Sequence, residues 1–289
     1  MNLQLSYNAS EDSFRLPPRI KQIYGPFGFP APRDAGRPYI SSNLVMGLDG
    51  RASFRELKGR AGGNEVSRSK EDRWLMDFLR AHHDAQLIGA STLREEPGKT
   101  GQGLDFAIAD QELLQYRQEI LKLGKQKIIV LTGSGEIDLS VRLFNSPRVE
   151  PWILTSAAGE KNLRSALQKL EPKKELKIIR IGEDDRVDLA AAAQLLRQQH
   201  GVGTLLCEGG PTLYGGLLAK QLIDEDFRTI SLQVLGASTD QAIVRPTSYG
   251  NVSYTPETAP WFTLISLHYS LPYHAFLRLR YQGPRTFPV

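Results

Sequence analysis

The stretch Gly203-Thr-Leu-Leu-Cys-Glu208-Gly209-Gly210-Pro211-Thr212-Leu213-Tyr214-Gly-Gly-Leu-Leu218 decides the fold of this chain. A short apolar run ends in a carboxylate and two glycines, and the helical pattern that follows predicts a strand, a tight turn and a helix. Two residues without a Cβ let the backbone approach a ligand, and proline suits the first position of a helix. The free N–H groups at that helix end favour a phosphate, although a glycine pair can also serve only to tighten the connection.

Strands alternate with helices on both sides of this stretch. The predicted strands cover 37–46, 84–89, 127–132, 151–155, 176–181 and 203–208. The predicted helices cover 69–82, 110–123 and 160–170, and another begins at Asp188. This order is typical of an α/β fold with a mostly parallel mixed sheet and helices on both faces. Three later strand-like segments without intervening helices predict antiparallel strands that finish one edge, at 226–235, 261–269 and 274–281.

Length and composition favour one large domain. The chain has 289 residues, 40% of them hydrophobic and 24% charged, which is ordinary for a soluble globular protein. Residues 1–36 contain five prolines and predict an irregular arm without a regular helix, so we place the domain proper at 37–289. No apolar run is long enough to cross a bilayer, and the first residues lack a secretory pattern, so we expect a cytoplasmic protein with no membrane partner.

Charge and cysteine content exclude several classes of site. The net charge is +4, but the basic residues are spread along the chain and no recognition-helix pattern is visible, so we expect no nucleic-acid partner. Cys207 is the only cysteine, which excludes an internal disulfide, and its apolar surroundings predict a small buried side chain. His82 and His83 are adjacent and lack the spacing of metal ligands, so we expect no metal.

Three predicted strands end in turns of small or hydroxyl-bearing residues. These turns are Gly89-Ala-Ser-Thr92, Thr132-Gly-Ser134-Gly and Glu208-Gly-Gly-Pro-Thr212. Each turn offers N–H and O–H donors to phosphate oxygens. No Gly-x-Gly-x-x-Gly follows a strand, so a nucleotide would lie across several strand ends instead of on a Rossmann fingerprint.

Three groups of motifs together resemble a known family. They are Arg37-Pro-Tyr…Met46-Gly-Leu-Asp49-Gly50, Leu79-Arg80-Ala…Asp84-Ala…Gly89-Ala-Ser-Thr92, and Glu208-Gly-Gly-Pro-Thr-Leu…Asp224-Glu225…Leu235-Gly236. Their order and spacing, over roughly residues 37–281, resemble the riboflavin-biosynthesis pyrimidine reductases. The resemblance implies a dihydrofolate-reductase-like three-layer fold and a homodimer. It also implies NADPH-dependent reduction of the ribosyl group of an aminopyrimidine ribosylamine 5′-phosphate to the ribityl form. The zinc deaminase that is often fused to such reductases cannot be built with one cysteine.

The resemblance also implies roles for individual residues. The implied cofactor-binding residues are Thr92, Glu96, Thr132, Ser134, Gly209, Gly210, Pro211, Thr212 and Leu213. The implied substrate-binding residues are Asn64, Arg80 and Glu208, and the candidate catalytic residues are Asp49 and Glu208. The stretch between Thr92 and Pro97 is one residue shorter than is common in the family. Either Glu95 or Glu96 could therefore replace the family's usual aspartate at the cofactor.

Each assignment has a second, purely structural interpretation. Arg80 can clamp a phosphate or can serve as a favourable charge at a helix C-terminus. Glu208 can accept hydrogen bonds from the pyrimidine or can cap the next helix. Asp49 can donate the proton of the reduction, which water could also supply, or can shape its Asp-Gly turn. Residues 98–125 lack the usual substrate-loop arginine, so Arg94 or Lys99 is a further candidate for the phosphate.

Three other functions stay open on the sequence alone. A dihydrofolate-type reductase would share the fold and cofactor but use another substrate. A catalytically inactive nucleotide-binding module would keep the cofactor site without turnover, and a structural protein would bind neither ligand.

Overall fold

A computed structural model describes residues 1–55, 62–95, 103–169, 176–183, 186–238, 240 and 242–285. The strands of this part are β1 (Gln4–Asn8), β2 (Tyr39–Gly47), β3 (Ala85–Gly89), β4 (Gln126–Thr132), β5 (Val149–Thr155), β6 (Lys177–Arg180), β7 (Thr204–Cys207), β8 (Glu225–Ser231), β9 (Pro260–Ser270) and β10 (His274–Pro284). They form one sheet in the order β1-β9-β10-β8-β2-β7-β3-β4-β5-β6.

The helices of the described residues are α1 (Pro18–Tyr24), α2 (Gly63–Ser67), α3 (Lys70–His82), α4 (Ala90–Glu95), α5 (Gln111–Gln115), α6 (Arg142–Asn145), α7 (Ala157–Lys169), α8 (Leu189–Gln198) and α9 (Pro211–Ala219). A π-helical turn at Tyr116–Ile120 follows α5 directly. None of the helices in these residues has the length and apolar character needed to cross a membrane.

The sheet is parallel in its larger half and antiparallel in the rest. Strands β8, β2, β7, β3, β4, β5 and β6, in this order, pair parallel with one another. Strand β10 is antiparallel to both β8 and β9, as the sequence predicts for the last three strands. The outermost strand on this side is β1, which pairs antiparallel with β9. The prediction of a mixed α/β sheet is confirmed, and the chain's first strand covers its antiparallel edge.

Helix-start signals account for two of the long helices. The Ser69 Oγ accepts a hydrogen bond from the Asp72 N–H at the start of α3, and Asp188 accepts from two N–H groups at the start of α8. Both capping residues are those that the sequence predicts. The apolar stripe of α3, which includes Trp74 and Phe78, is buried against the sheet.

Helices cover both faces of the sheet because its central strands are apolar on both sides. In β3, Leu87 packs in the cluster that contains α8 and α9, whereas Ile88 packs in the cluster that contains α7. The side chains of successive strand residues point to opposite faces, so a continuous apolar run requires cover on both. The result is a three-layer arrangement in which the carboxyl ends of the parallel strands meet at one edge.

The prediction that residues 1–36 carry no regular helix is wrong. Pro18 occupies the first turn of α1, where a proline is tolerated, so prolines in this segment mark the helix start instead of preventing the helix. Ile20 and Phe27 are fully buried, and they pack in the same cluster as Phe78 of α3. The division of the chain at residue 36 stays a prediction.

Candidate active site

Two adjoining cavities open at the edge where the parallel strands end. The larger cavity, of about 960 Å³, is lined among others by Ser91, Arg94, Thr132, Ser134 and Thr212. The smaller cavity, of about 390 Å³, is lined among others by Asn64, Asp72, Arg80, Thr92 and Glu208. The linings of both cavities include Ser53, Gly210 and Pro211. The turn after β7 therefore forms a wall that the two cavities share.

The hydroxyl-bearing turn after β4 forms one wall of the larger cavity. Thr132 Oγ1 accepts a hydrogen bond from the Gly135 N–H at 3.0 Å, and Ser134 Oγ accepts from the Glu136 N–H at 3.2 Å. Ser156 Oγ donates to the Gly133 carbonyl at 2.7 Å, which fixes the turn from the side of β5. The turn is thereby held rigid while its hydroxyl groups face the cavity edge.

The glycine turn between β7 and α9 presents bare backbone to both cavities. A Cβ on Gly210 would have no heavy atom within 4 Å, so this residue faces open space. A Cβ on Gly209 would lie 2.5 Å from Leu213 Cδ2, so that glycine is required for packing. Gly210 is the residue before α9, and no side chain caps the helix there. Gly209 is therefore required by the packing of Leu213, whereas Gly210 leaves open space next to both cavities.

Three exposed arginines give the larger cavity a positive rim. Arg55, Arg94 and Arg186 line it, together with the single carboxylate Glu136. Within the described part of the chain, none of these arginines has a carboxylate in ion-pair range. Unpaired guanidinium groups around a polar cavity favour an anionic ligand with several phosphate oxygens.

One face of α3 forms a wall of the smaller cavity. Asp72, Arg73, Met76, Asp77 and Arg80 line it at the three- and four-residue spacing of a helix face. Of these, only Arg80 is predicted from the sequence. The helical spacing of charged residues between 70 and 82 is a signal for Asp72, Arg73 and Asp77, but it does not show which side of the helix faces a cavity, and Met76 gives no such signal.

Arg80 and Glu208 form a buried pair inside the smaller cavity. The Arg80 Nε donates to both carboxylate oxygens of Glu208, at 3.2 and 3.0 Å, and Arg80 Nη1 lies 3.8 Å from Asp77 Oδ1. The two side chains are only 8% and 6% exposed. The structure thus brings together two of the predicted substrate-binding residues, but it engages the Arg80 guanidinium with carboxylates. The phosphate clamp predicted for Arg80 stays a prediction.

Arg73 is a cation of this cavity that forms no ion pair with a described carboxylate. It is exposed on the outer part of the same helix face, and no carboxylate of the described residues lies within ion-pair distance of it. Seven residues separate it from Arg80, which corresponds to about 10 Å along the helix. The smaller cavity therefore has an exposed positive charge at one end and a paired carboxylate at the other.

Two aspartates in the same wall are shielded from water. Burial raises the pKa of Asp72 even though Thr229 Oγ1 donates a hydrogen bond to its Oδ1 at 2.5 Å. Burial also raises the pKa of Asp77, whose Oδ2 accepts from the Ala109 and Asp110 N–H groups at 2.9 Å each. Asp77 therefore holds the chain near residue 109, and Asp72 is a carboxyl group of the cavity wall whose raised pKa favours the protonated form more than in an ordinary aspartate.

Asp49 is placed outside the described lining of both cavities. Its Oδ2 accepts the Gly236 N–H at 2.7 Å, and its carboxylate lies 3.7 Å from the Arg51 guanidinium. Partial burial alone would raise the pKa of Asp49, but hydrogen bonds from the backbone of Gly236, Leu235 and Arg51 outweigh it and lower the pKa. A carboxylate held ionised is a poor proton donor. The catalytic role of Asp49 stays a prediction, and these contacts favour its local structural role.

The remaining predicted residues divide between the cavities. Gly210, Pro211, Thr212 and Leu213 line the larger cavity, and Gly209 and Thr92 line the smaller one. Arg94 lines the larger cavity and is not among the described lining residues of the smaller one. Glu96 and Lys99 lie outside the described residues.

The buried cysteine and histidines have no part in either cavity. Cys207 is fully buried, as predicted, and burial raises its pKa to about 12. Burial lowers the pKa of His82 to about 3 and that of His83 to about 4, so both rings are neutral at pH 7. Each Nδ1 lies 2.7 Å from a carbonyl of the preceding turn, so each ring donates its proton there. Within the described residues, no set of three or more His, Cys, Asp or Glu side chains is arranged to hold a metal ion.

Comparison with known proteins identifies the family of this chain. The family model of the RibD C-terminal domain matches residues 38–252, which is more than half of the chain. The chain belongs to the RibD C-terminal domain family. A 2,5-diamino-6-ribosylamino-4(3H)-pyrimidinone 5′-phosphate reductase of Archaeoglobus fulgidus is 30% identical over 190 residues, which is 65% of this RibD-family chain and 78% of the relative. The riboflavin biosynthesis protein RibD of Escherichia coli is 26% identical over 214 residues, or 73% of this chain and 52% of the relative.

Solved structures show the same fold outside the matched region as well. A pyrimidine reductase-like protein from Corynebacterium diphtheriae superposes with a TM-score of 0.66 at 19% identity, and the match covers 91% of this RibD-family chain and 98% of the other. RibD of Acinetobacter baumannii superposes with a TM-score of 0.61 at 20% identity, over 86% of this chain and 59% of the other. The resemblance read from the sequence and the predicted fold are both confirmed.

Proposed function

We propose that this protein uses NADPH to reduce the ribosyl group of an aminopyrimidine ribosylamine 5′-phosphate to the ribityl form, as a step of riboflavin biosynthesis. The observation that carries the proposal is the pair of cavities that meet at Gly210 and Pro211. One cavity suits a dinucleotide with several phosphates, and the other suits a smaller polar molecule that bears one. The relative from Archaeoglobus fulgidus is named for a reduction of this kind.

The larger cavity fits the reduced dinucleotide. Gly210 leaves open space at the start of α9, where backbone N–H groups and the positive end of the helix favour a diphosphate. The three arginines at the rim, which form no ion pair with a described residue, support NADPH over NADH because the additional phosphate adds negative charge. Replacing both Arg94 and Arg186 by alanine should weaken NADPH binding more than NADH binding. Equal losses for the two cofactors in a titration would argue against this selectivity.

The smaller cavity fits the pyrimidine substrate. The Glu208 carboxylate can accept hydrogen bonds from amino or ring N–H groups of the pyrimidine. Arg80 holds the Glu208 carboxylate in place through two hydrogen bonds. Arg73, at the opposite end of the helix face, is the cation available to the 5′-phosphate. The binding of the substrate between these two points directs its sugar toward the turn that the cavities share.

The reduction adds one hydride and one proton. NADPH supplies the hydride when it is bound, so the chain has to supply position and a proton. Asp72 is better placed than Asp49 to donate the proton because it lines the smaller cavity and because burial raises its pKa. Thr229 fixes its carboxyl through the hydrogen bond to Oδ1. Asp72→Asn should therefore lower kcat more than it changes the KM of the substrate.

A homodimer is part of the same proposal. Large apolar side chains are exposed where β8 and β10 meet, and they include Leu232 at 49%, Leu271 at 64% and Tyr273 at 66%. The Leu232 N–H donates to the Tyr273 carbonyl at 2.9 Å, so this surface is ordered by the sheet. Contiguous exposed apolar surface favours association between copies. Light scattering of the purified protein would test it, and a mass of one chain would contradict it.

The decisive experiment follows the absorbance of NADPH with and without the aminopyrimidine ribosylamine phosphate. Substrate-dependent loss of reduced cofactor, with formation of the ribityl product, is the expected result. A matched assay with dihydrofolate tests the alternative reductase, and NADPH binding without any turnover would indicate the inactive binding module. Turnover of neither substrate would remove the proposed activity.

A further inference from the structure

Two buried glutamines lie behind the smaller cavity without lining it. Gln86 on β3 is 1% exposed, and Gln126 at the start of β4 is 4% exposed. Gln86 lies opposite Ile128 in the parallel pairing, and Gln126 precedes Ile128 by two residues, so the two glutamines are on the same face of the sheet. Fully buried primary amides are uncommon in a core, and their cost is offset only when their hydrogen bonds are made.

The hydrogen bonds of both glutamine amides fix which end of each amide donates and which end accepts. The Gln86 Nε2 donates to Glu208 Oε2 at 2.5 Å, and the Gln86 Oε1 accepts from Gln126 Nε2. The Gln126 Nε2 also donates to the Phe106 carbonyl at 2.9 Å, and its Oε1 accepts the Ile108 N–H at 3.1 Å. The Glu208 carboxylate can only accept, which fixes the Gln86 amide. The Phe106 carbonyl can only accept and the Ile108 N–H can only donate, which fixes the Gln126 amide. Neither amide can flip without loss of hydrogen bonds.

These contacts close a ring around the smaller cavity. From Glu208 the ring passes through the two glutamines to the segment 103–110, which contributes Phe106 to the cavity wall. The same segment is held at Ala109 and Asp110 by Asp77, which lies 3.8 Å from Arg80. Arg80 then returns to Glu208. The carboxylate on one side of the cavity and the segment on the other are thus members of one network of hydrogen bonds, which the ion pair between Asp77 and Arg80 closes.

We propose that Gln86 and Gln126 are positioning residues that hold Glu208 and the segment 103–110 in one fixed arrangement for the pyrimidine. The inference rests on the proposed function because it assigns the pyrimidine to the smaller cavity. Phe106 has a φ of +53°, a conformation that a bulky side chain rarely adopts, and the Gln126 hydrogen bond to its carbonyl helps to retain it. Neither glutamine touches either cavity, so both act through the residues that do.

Methionine variants separate this role from general packing. Gln86→Met and Gln126→Met keep the side-chain volume but remove the amides, and Gln115→Met on exposed α5 is the matched control. We expect each core variant to raise the KM of the pyrimidine about 10-fold or more, since a hydrogen bond to a charged or buried group is lost. The Kd of NADPH should stay within about two-fold. The double variant should resemble the more severe single variant because both residues serve one network.

Several results would overturn the proposal. These are an unchanged pyrimidine KM, equal losses for the pyrimidine and NADPH, and additive effects in the double variant. If the methionine variants do not fold, Gln86→Asn keeps a buried amide but shortens its reach, and it should give the same selective loss.

A second measurement does not depend on activity. The Ile108 N–H donates to Gln126, so hydrogen exchange at Ile108 should accelerate in Gln86→Met, although Gln86 does not contact that segment. Unchanged exchange would contradict the ring. If the native protein fails to turn over the pyrimidine, the proposed function fails, but this exchange measurement still decides whether the ring exists.

Discussion

Alanine substitutions at the two adjacent glycines should have opposite consequences. At Gly210, a Cβ meets no heavy atom within 4 Å and the residue's φ is −64°, so alanine fits the native backbone. Alanine is less favourable than glycine as the residue before a helix, but it also restricts the unfolded chain. These effects are each about 1 kcal/mol or less and of opposite sign. We expect the free energy of unfolding of Gly210→Ala to change by less than about 1 kcal/mol.

The binding of NADPH should nevertheless suffer in Gly210→Ala. The new methyl group would occupy the open space where the backbone faces both cavities, and overpacking of a fitted site costs about 1–3 kcal/mol. That cost corresponds to an increase of roughly 5- to 150-fold in the Kd of NADPH. Gly209→Ala is the matched variant. Its Cβ would lie 2.5 Å from Leu213 Cδ2 and 3.0 Å from Leu213 Cβ, so it should lose about 1–3 kcal/mol of stability instead.

Thermal unfolding and titration of NADPH fluorescence separate the two effects. The expected pattern is a nearly native melting temperature with weak binding for Gly210→Ala, and a lowered melting temperature for Gly209→Ala. If Gly210→Ala binds NADPH as tightly as the native protein does, the dinucleotide does not approach this turn. The assignment of the larger cavity would then be refuted.

Two further predictions concern charged groups. Arg73→Ala should raise the KM of the phosphorylated substrate about 10-fold and leave the KM of a dephosphorylated analogue unchanged, whereas Arg80→Ala should raise the KM of both. Arg164→Ala, at an exposed position, is the control. Equal losses for both substrates in Arg73→Ala would contradict the assignment of Arg73 to the phosphate. His82 and His83 have pKa values lowered by burial to about 3 and about 4, so the unfolded chain binds more protons than the folded one between about pH 6.5 and pH 4. Stability should therefore fall as the pH is lowered through that range. His83→Gln should reduce the fall in melting temperature between pH 7 and pH 5, and an unchanged slope would count against the histidine explanation.

The local features of the fold could be predicted from the sequence. The strand–Gly-Gly–Pro pattern at 203–218, the Ser69 cap and the Asp188 cap depend on residues close together in the chain, and the structure contains all three elements. The order of these elements also indicated which strand ends would share an edge. The prolines of residues 1–36 were misleading because proline is excluded from helix interiors but favoured in the first turn.

The site could be predicted only in outline because its chemistry depends on distant residues. Arg80 has a plausible phosphate role on its helix, but Glu208 comes from another strand end and pairs with it. Asp49 lies in an Asp-Gly turn, and this local sequence does not show whether the aspartate takes part in catalysis or only stabilises the turn. Gln86 and Gln126 give no signal in a local pattern, since their partners are fixed by the pairing of β3 with β4 and by the segment 103–110.

The pairing of β1 with β9 links the folding of this chain to the order of its synthesis. Gln4 lies opposite Tyr269, and Asn8 lies opposite Ser266, so β1 is synthesised long before the strand with which it pairs. Until β9 emerges, the backbone hydrogen-bonding groups of β1 have no sheet to join. Contacts between such distant residues slow folding and prolong the exposure of apolar side chains. A nascent chain of this protein is therefore expected to benefit from protection by chaperones until β9 has been synthesised.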